Sequence, residues 1–246
     1  GQMTESILQR DHRNVRGTIL YTSNKPERLG QERGREYFVT TVHADSSRSV
    51  SAHCEIDDRP CVMRDIVYSL DPDWMPKDCF VRISVGDRFM GTGWFRFHPH
   101  YAECETYTAL EGRVSQRMDL ARPLRSFQNH AIACDSWHLR LFDQGRPGEV
   151  QSLEQMLLSS PDHRGATGPM LFSIGIHVVF IGREEITVKA GTFDALHFQF
   201  VSAPGLPQEH PPYDVWCTSD GEFQFLRAGA GGYMQTHYEL VELHRD

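Results

Sequence analysis

CFVRISVGDRFMGTGWFRF, residues 79–97, decides the fold class. Cys79, Val81, Ile83 and Val85 alternate with Phe80, Arg82 and Ser84, a period of two that belongs to a strand with one apolar face. Gly86-Asp87 is a bend of the kind that two-residue hairpins require. Beyond it, Phe95 and Phe97 share one face and Trp94 and Arg96 the other. The stretch predicts an antiparallel hairpin, and its neighbours repeat the pattern.

Upstream, residues 35–43 and 48–56 alternate in the same way, with Val50, Ala52, Cys54 and Ile56 on one face. Residues 61–70 form another strand-like run, and DPDWMP (71–76) is a turn. Downstream, 102–120 reads as a hairpin with Glu111-Gly112 at its tip. Strand signals resume at 170–182, 184–190, 192–202, 213–219, 222–228 and 233–243. Within the last run, Tyr233, Gln235, His237 and Glu239 make one polar face. Between the two halves, 121–169 is different in character: loop-like, with Val150, Leu153, Met156 and Leu157 at helical spacing inside 148–160. No repeat of solenoid or propeller length is present, and the strand–helix alternation of a parallel sheet is missing. The expectation is an all-β, mainly antiparallel protein: a spiral β-roll or barrel-like curved sheet, forming one domain over 1–246. Its halves, about 15–120 and 170–243, are joined by a loop and a short helix near 148–160.

Composition narrows the function classes. The chain of 246 residues is 39% hydrophobic and 24% charged, with a formal net charge of −8. That balance disfavours nucleic acid as a partner. No apolar run approaches the ~18 residues of a membrane helix. The six cysteines form no C-x-x-C and read as reduced, part-buried thiols. The first residues lack a basic-then-apolar signal pattern, so a cytoplasmic location is expected, although a leader already removed is compatible with the same sequence.

Two segments carry a resemblance. IVYSLDPDWMPKDCFVRI (66–83), GWFRF (93–97) and GRVSQRMDL (112–120) together resemble a bacterial family assigned to glycolipid binding. ITVKAGTFDALHFQF (186–200) and the run from Tyr213 to Leu243 resemble a bacterial domain family of unknown function. Both families belong to a spiral β-roll superfamily, and together the segments cover about half of the chain. The chain departs from the first pattern after Leu120, where MDLARPLRSFQNHAI keeps only the proline of a Thr-Pro-rich continuation, and the central insert belongs to neither pattern. The resemblance implies a curved roll with a groove, not a reaction.

The densest chemistry lies in SFQNHAIACDSWHLR, residues 126–140. His130, Cys134 and His138 recur every four residues. As a helix, though, the outer pair stands ~12 Å apart, and as a strand the first pair already spans ~13 Å. One ion holds its ligands at roughly 2.0–2.3 Å, so the three do not form one metal site. His98, His100, Glu103 and Glu105 make a second cluster, more simply read as an exposed turn. No metal or other cofactor is expected. His130 and Asp135 are candidates for an acid–base pair, the plainer reading being a histidine bonded to backbone and an aspartate capping a turn. Arg64, Arg82 and Arg96, with Trp94, suit stacking and hydroxyl or anion recognition; solvated cross-strand ion pairs are the plainer alternative for each. His177 and His197 read as core histidines. The chain has no H-E-x-x-H, G-x-S-x-G, Walker loop or G-x-G-x-x-G.

The first expectation is therefore a binding protein for a small amphipathic or aromatic, lipid-like ligand. Arg64, Arg82, Trp94, Arg96, His130, Trp137 and Trp216 are its candidate contacts, the segment 126–140 borders the main pocket, and a homodimer is compatible with it. The second is a cofactor-independent lyase, isomerase or hydratase using His130 and Asp135. The third is a structural or assembly protein without a small ligand.

Overall fold

The protein is described from a computed structural model, which covers residues 10–160, 165–203, 212–230 and 235–246. Arg13–Ser23 (β1), Glu32–Val42 (β2), Arg48–Ile56 (β3), Val62–Leu70 (β4), Pro76–Val85 (β5), Arg88–Phe97 (β6), Tyr101–Thr108 (β7) and Gly112–Asp119 (β8) form an antiparallel meander. Phe127–Gln128 (β9), Val150–Leu158 (β10), Phe172–Val188 (β11), Gly191–Val201 (β12), Tyr213–Thr218 (β13), Phe225–Ala230 (β14) and Thr236–Arg245 (β15) follow. Among the described residues, all fifteen strands belong to one sheet, in the order β8 back to β1, then β15 back to β9. The first and last long strands meet at its centre, from Val15 opposite Arg245 to Ser23 opposite Thr236. Every pairing is antiparallel except β9 with β10.

The hairpin at 79–97 forms as its sequence dictates. Val85 pairs with Arg88, and Gly86 and Asp87 between them have φ of 58° and 61°. Two consecutive left-handed residues twist in the sense of the flanking strands. Cys79, Val81, Ile83 and Phe95 point inward and are fully buried. A register shift between Ile83 and Ser84 then breaks the alternation, which is why Ser84 is buried too.

The helix expected over 148–160 is a strand. β10 carries a register shift between Leu153 and Met156. The extra residues displace the period of two, so Leu153, Met156 and Leu157 mimic the i, i+3, i+4 spacing of a helix. The helical residues of the insert are instead two short 3-10 turns, Ile132–Cys134 and Trp137–Leu141. The insert also contributes strands β9 and β10 to the sheet rather than merely joining its halves. The runs 170–182 and 184–190 are one strand, β11, with a bulge between Phe180 and Gly182.

The roll encloses its own insert. Phe127 is completely buried, with ring centroids 4.7 Å from Phe97, 5.4 Å from Phe95 and 5.9 Å from Tyr68. Trp137 lies against Tyr68 at 6.2 Å and edge-on to Trp74 at 5.8 Å. The Arg140 guanidinium donates to the carbonyls of Trp137, Trp74 and Arg125, tying this segment to the turn after β4. The Ser136 hydroxyl donates to the Phe223 carbonyl at 2.7 Å, in the second half. The Gln116 amide on β8 completes the closure, donating to Leu171 O at 3.2 Å and accepting from Leu171 N–H at 2.8 Å. All six cysteines are free thiols. No helix among the described residues is long and apolar enough to cross a membrane.

Candidate functional site

Glu36 points into the roll from β2, on the same face as Phe38, and none of it is exposed. A buried carboxylate needs donors, and Glu36 has four. Tyr21 Oη (2.8 Å), Cys54 Sγ (3.0 Å) and Ile132 N (2.9 Å) donate to Oε1, and Ala133 N (2.7 Å) donates to Oε2. The last two are the first amides of the 3-10 turn at Ile132–Cys134, which lack partners inside the turn. Glu36 thereby anchors the insert to the sheet.

Arg64 of β4 is 4% exposed and sits in the same region. Burial works against its charge, yet its pKa is raised, with Glu36 the neighbouring carboxylate that favours the cation. Gly165, at φ 59°, lies against both Arg64 and His130: an added Cβ would stand 2.8 Å from Arg64 Nη1 and 2.6 Å from His130 Cδ2. Asp135 is buried and accepts from Tyr213 Oη at 3.1 Å. Desolvation pushes its carboxyl up to about 8, the Tyr213 bond opposing and nearby Glu36 assisting. Burial likewise drives the Tyr21, Tyr213 and Cys54 pKa values upward. His138 accepts from or donates to Ser126 Oγ through Nδ1, and burial pulls its pKa down to about 3, so it is neutral.

The pH dependence of stability follows from Asp135. Its folded pKa lies above the ordinary 3.8, so between the two values the unfolded chain has released a proton that the folded chain retains. The folded state is thus favoured below the ordinary value and loses that advantage as pH rises to about 8, by ~1.4 kcal/mol per pH unit for one proton. Urea titrations of wild type and Asp135→Asn at a series of pH values should show the variant gaining relative stability from pH 5 towards about 8. A pH-independent difference would refute this.

The candidate contacts do not converge. Arg64, His130, Asp135 and Trp137 lie inside the roll. Arg82, Trp94 and Arg96 lie on the outer face of the first half, and Trp216 on the outer face of the second. His130 and Asp135 are not hydrogen-bonded to each other: His130 Nδ1 meets Ser159 Oγ at 2.7 Å, whereas Asp135 is bonded to Tyr213. His197, expected as a core histidine, is on the outer face beside Trp216. Of the polar face foreseen on the last strand, Gln235, His237 and Glu239 are described and part-exposed, and Tyr233 lies outside the described residues.

An apolar depression lies on the outside. It has a volume of about 580 Å³ and runs over β15, β1, β2, β3, β4 and β5. Its floor includes Tyr37, Val39, Val67 and Phe80, which are 48%, 39%, 45% and 45% exposed. Val39, Ser51, Val67 and Phe80 are cross-strand neighbours in one row, continued by Trp94. Four interstrand spacings of ~4.8 Å make this row ~19 Å long. Arg16, Glu242 and His244 stand at one end. His53 borders it too, bonded to Asp65 at 2.6 Å and Glu55 at 3.0 Å; burial opposes its charge, and the two carboxylates raise its pKa. A second depression, of about 600 Å³ and with six polar residues in its lining, surrounds Trp216. No residue of 126–140 lines either one, so the expectation that this segment borders the main pocket is not met by these two. The outward apolar row was visible in the sequence as an apolar residue on both faces of YFVTTV; its assembly across strands was not.

A rolled, single-sheet β protein with a filled interior is the class that these features define. Neither a protein-family model nor a curated protein matches the chain. Among solved structures, it is similar to a β-barrel-like protein of domain of unknown function DUF1849 from Brucella abortus. The TM-score is 0.54 at 12% identity, covering 96% of this chain and 97% of that one. That likeness concerns the fold. Weaker similarity extends to a Bacteroides fragilis protein of YmcC-like fold, at TM-score 0.37, 8% identity and 96% of each chain. A Parabacteroides distasonis protein provisionally called a lipoprotein gives 0.35 at 10% identity, covering 94% of this chain and 95% of that one.

Proposed function

We propose that the protein is a binding protein, and that its ligand is an elongated amphipathic molecule lying in the outer groove across β1 to β5. The observation that carries this reading is the row of exposed residues Val39, Ser51, Val67 and Phe80, apolar except for Ser51, with Tyr37 beside it. Soluble surfaces scatter such residues, and contiguous ones mark places of contact. An apolar body covers the floor, while a polar end meets Arg16, Glu242 and His244. The inner cluster supports no equivalent reading, because the insert fills it and Glu36 is engaged in holding that insert. This favours binding over acid–base catalysis by His130 and Asp135, the second reading; turnover would need a substrate to displace the segment that Glu36 anchors.

The test is a fluorescence titration with a dansylated medium-chain fatty acid. Saturable binding is expected, weakened at least ~10-fold in Phe80→Asp, since the contact of one such side chain is worth roughly 1.5–3 kcal/mol. Because Phe80 is 45% exposed, the melting temperature should hardly change. Binding that is absent in the wild type, or unchanged in both Phe80→Asp and Val67→Asp, would overturn the proposal.

A further inference from the structure

On the outer face of the second half, one cross-strand row reads Gln199, Asp214, Gly229, His237. Gly229 is the gap in it. A Cβ there meets nothing within 4 Å, so the missing side chain leaves a notch flanked by a carboxylate and an imidazole. Trp216 and Arg227, in the adjoining row, form one wall, and Asn24 and Gln235 line the rim.

The walls are held in place. Trp216 is stacked on His197, with centroids 4.1 Å apart at 16°, and the Arg227 guanidinium covers its other side at 4.2 Å. The indole N–H donates to Glu184 at 2.8 Å. Asp214 is oriented through one oxygen only: His197 Nε2 is 2.8 Å from Oδ1, and Gln199 Nε2 donates to the same atom at 3.2 Å. Its side chain is 31% exposed, as is that of His237. At the rim, Asn24 N–H donates to Gln235 O at 2.6 Å, and Gln235 takes a left-handed φ of 30°. Such a conformation is costly for a residue other than glycine, and proteins tend to keep it where function uses it.

The chemistry of the lining indicates what fits. Asp214 accepts, Arg227 donates, and the amides of Asn24 and Gln235 do both. Asp214 and Arg227, of opposite sign, both line the depression, which disfavours a fully charged ligand of either sign. Hydroxyl groups, each a donor and an acceptor, match such a mixed ring. We infer that the Gly229 notch is a binding site for a neutral, polyhydroxylated ring such as a sugar or cyclitol, separate from the apolar groove.

The experiment follows the Trp216 indole N–H in 1H–15N spectra of the whole protein during titration with methyl glucoside, methyl mannoside or myo-inositol. Arginine methyl ester and sodium sulfate serve as cationic and anionic probes. Saturable shifts are expected with at least one polyol, weakened at least ~10-fold in Gly229→Val, which fills the notch, and also in Asp214→Ala. An added Cβ at Gly229 has nothing within 4 Å, so Gly229→Val should keep the wild-type melting temperature. The inference is overturned if no polyol gives a saturable shift, if only the charged probes do, or if Gly229→Val binds polyols as wild type does.

Discussion

Glu36→Ala is expected to cost on the order of 4 kcal/mol or more of folding stability, since several buried donors lose their acceptor at ~1–3 kcal/mol each. The variant leaves the Ile132 and Ala133 amides and the Tyr21 hydroxyl without their partner in an environment that excludes water. It also removes a negative charge beside buried Arg64. Glu36→Gln keeps the volume but turns one oxygen into a donor, which then faces a donor, so it should be destabilising too. Urea unfolding followed by tryptophan fluorescence measures both. A loss below ~1 kcal/mol in Glu36→Ala would mean that the insert is held by its apolar contacts and that the carboxylate is dispensable.

Phe127→Ala should cost ~3–5 kcal/mol, the usual range when a buried aromatic is truncated and its cavity cannot collapse. Phe127 is wedged between Tyr68, Phe95 and Phe97, three rings on strands that the meander already fixes. It belongs to β9, the last strand in the sheet order, so the loss should loosen the end of the roll first. Hydrogen exchange should show amides of β9 and β10 losing protection before those of β1 and β15. Uniform loss across the sheet would refute that ordering, and a cost below ~1 kcal/mol would refute the wedge itself.

The wedge and the anchor also tie the two halves to one another. Glu36 reaches the insert from β2, Ser136 fixes it to Phe223 in the second half, and Gln116 ties β8 to the chain leading into β11. The Ile132 and Ala133 amides and the Ser136 hydroxyl of the insert are thus used for assembly.

What the sequence determined by itself is the strand architecture. In β3 and β5 the alternation of apolar residues specifies which side is buried, because successive side chains on a strand must point opposite ways. Gly86-Asp87 specified its turn because the flanking strands demand left-handed residues there. Local chemistry sufficed in both cases. It failed at β10, where a bulge changes the period and a strand imitates a helix.

Only the tertiary structure decided the sites. Glu36 is visible in the sequence as a carboxylate on an inward position of β2, but two of its four donors lie nearly a hundred residues away, at Ile132 and Ala133. His130 and Asp135 are five residues apart, yet the 3-10 turn and the roll direct them to Ser159 and Tyr213. The outer row of Val39, Val67 and Phe80 depends on the register of four strands, and the Gly229 notch on that of another four. Periodicity determines the face of a strand on which a side chain lies; cross-strand register determines its neighbours, and that emerges only when the whole sheet closes around its insert.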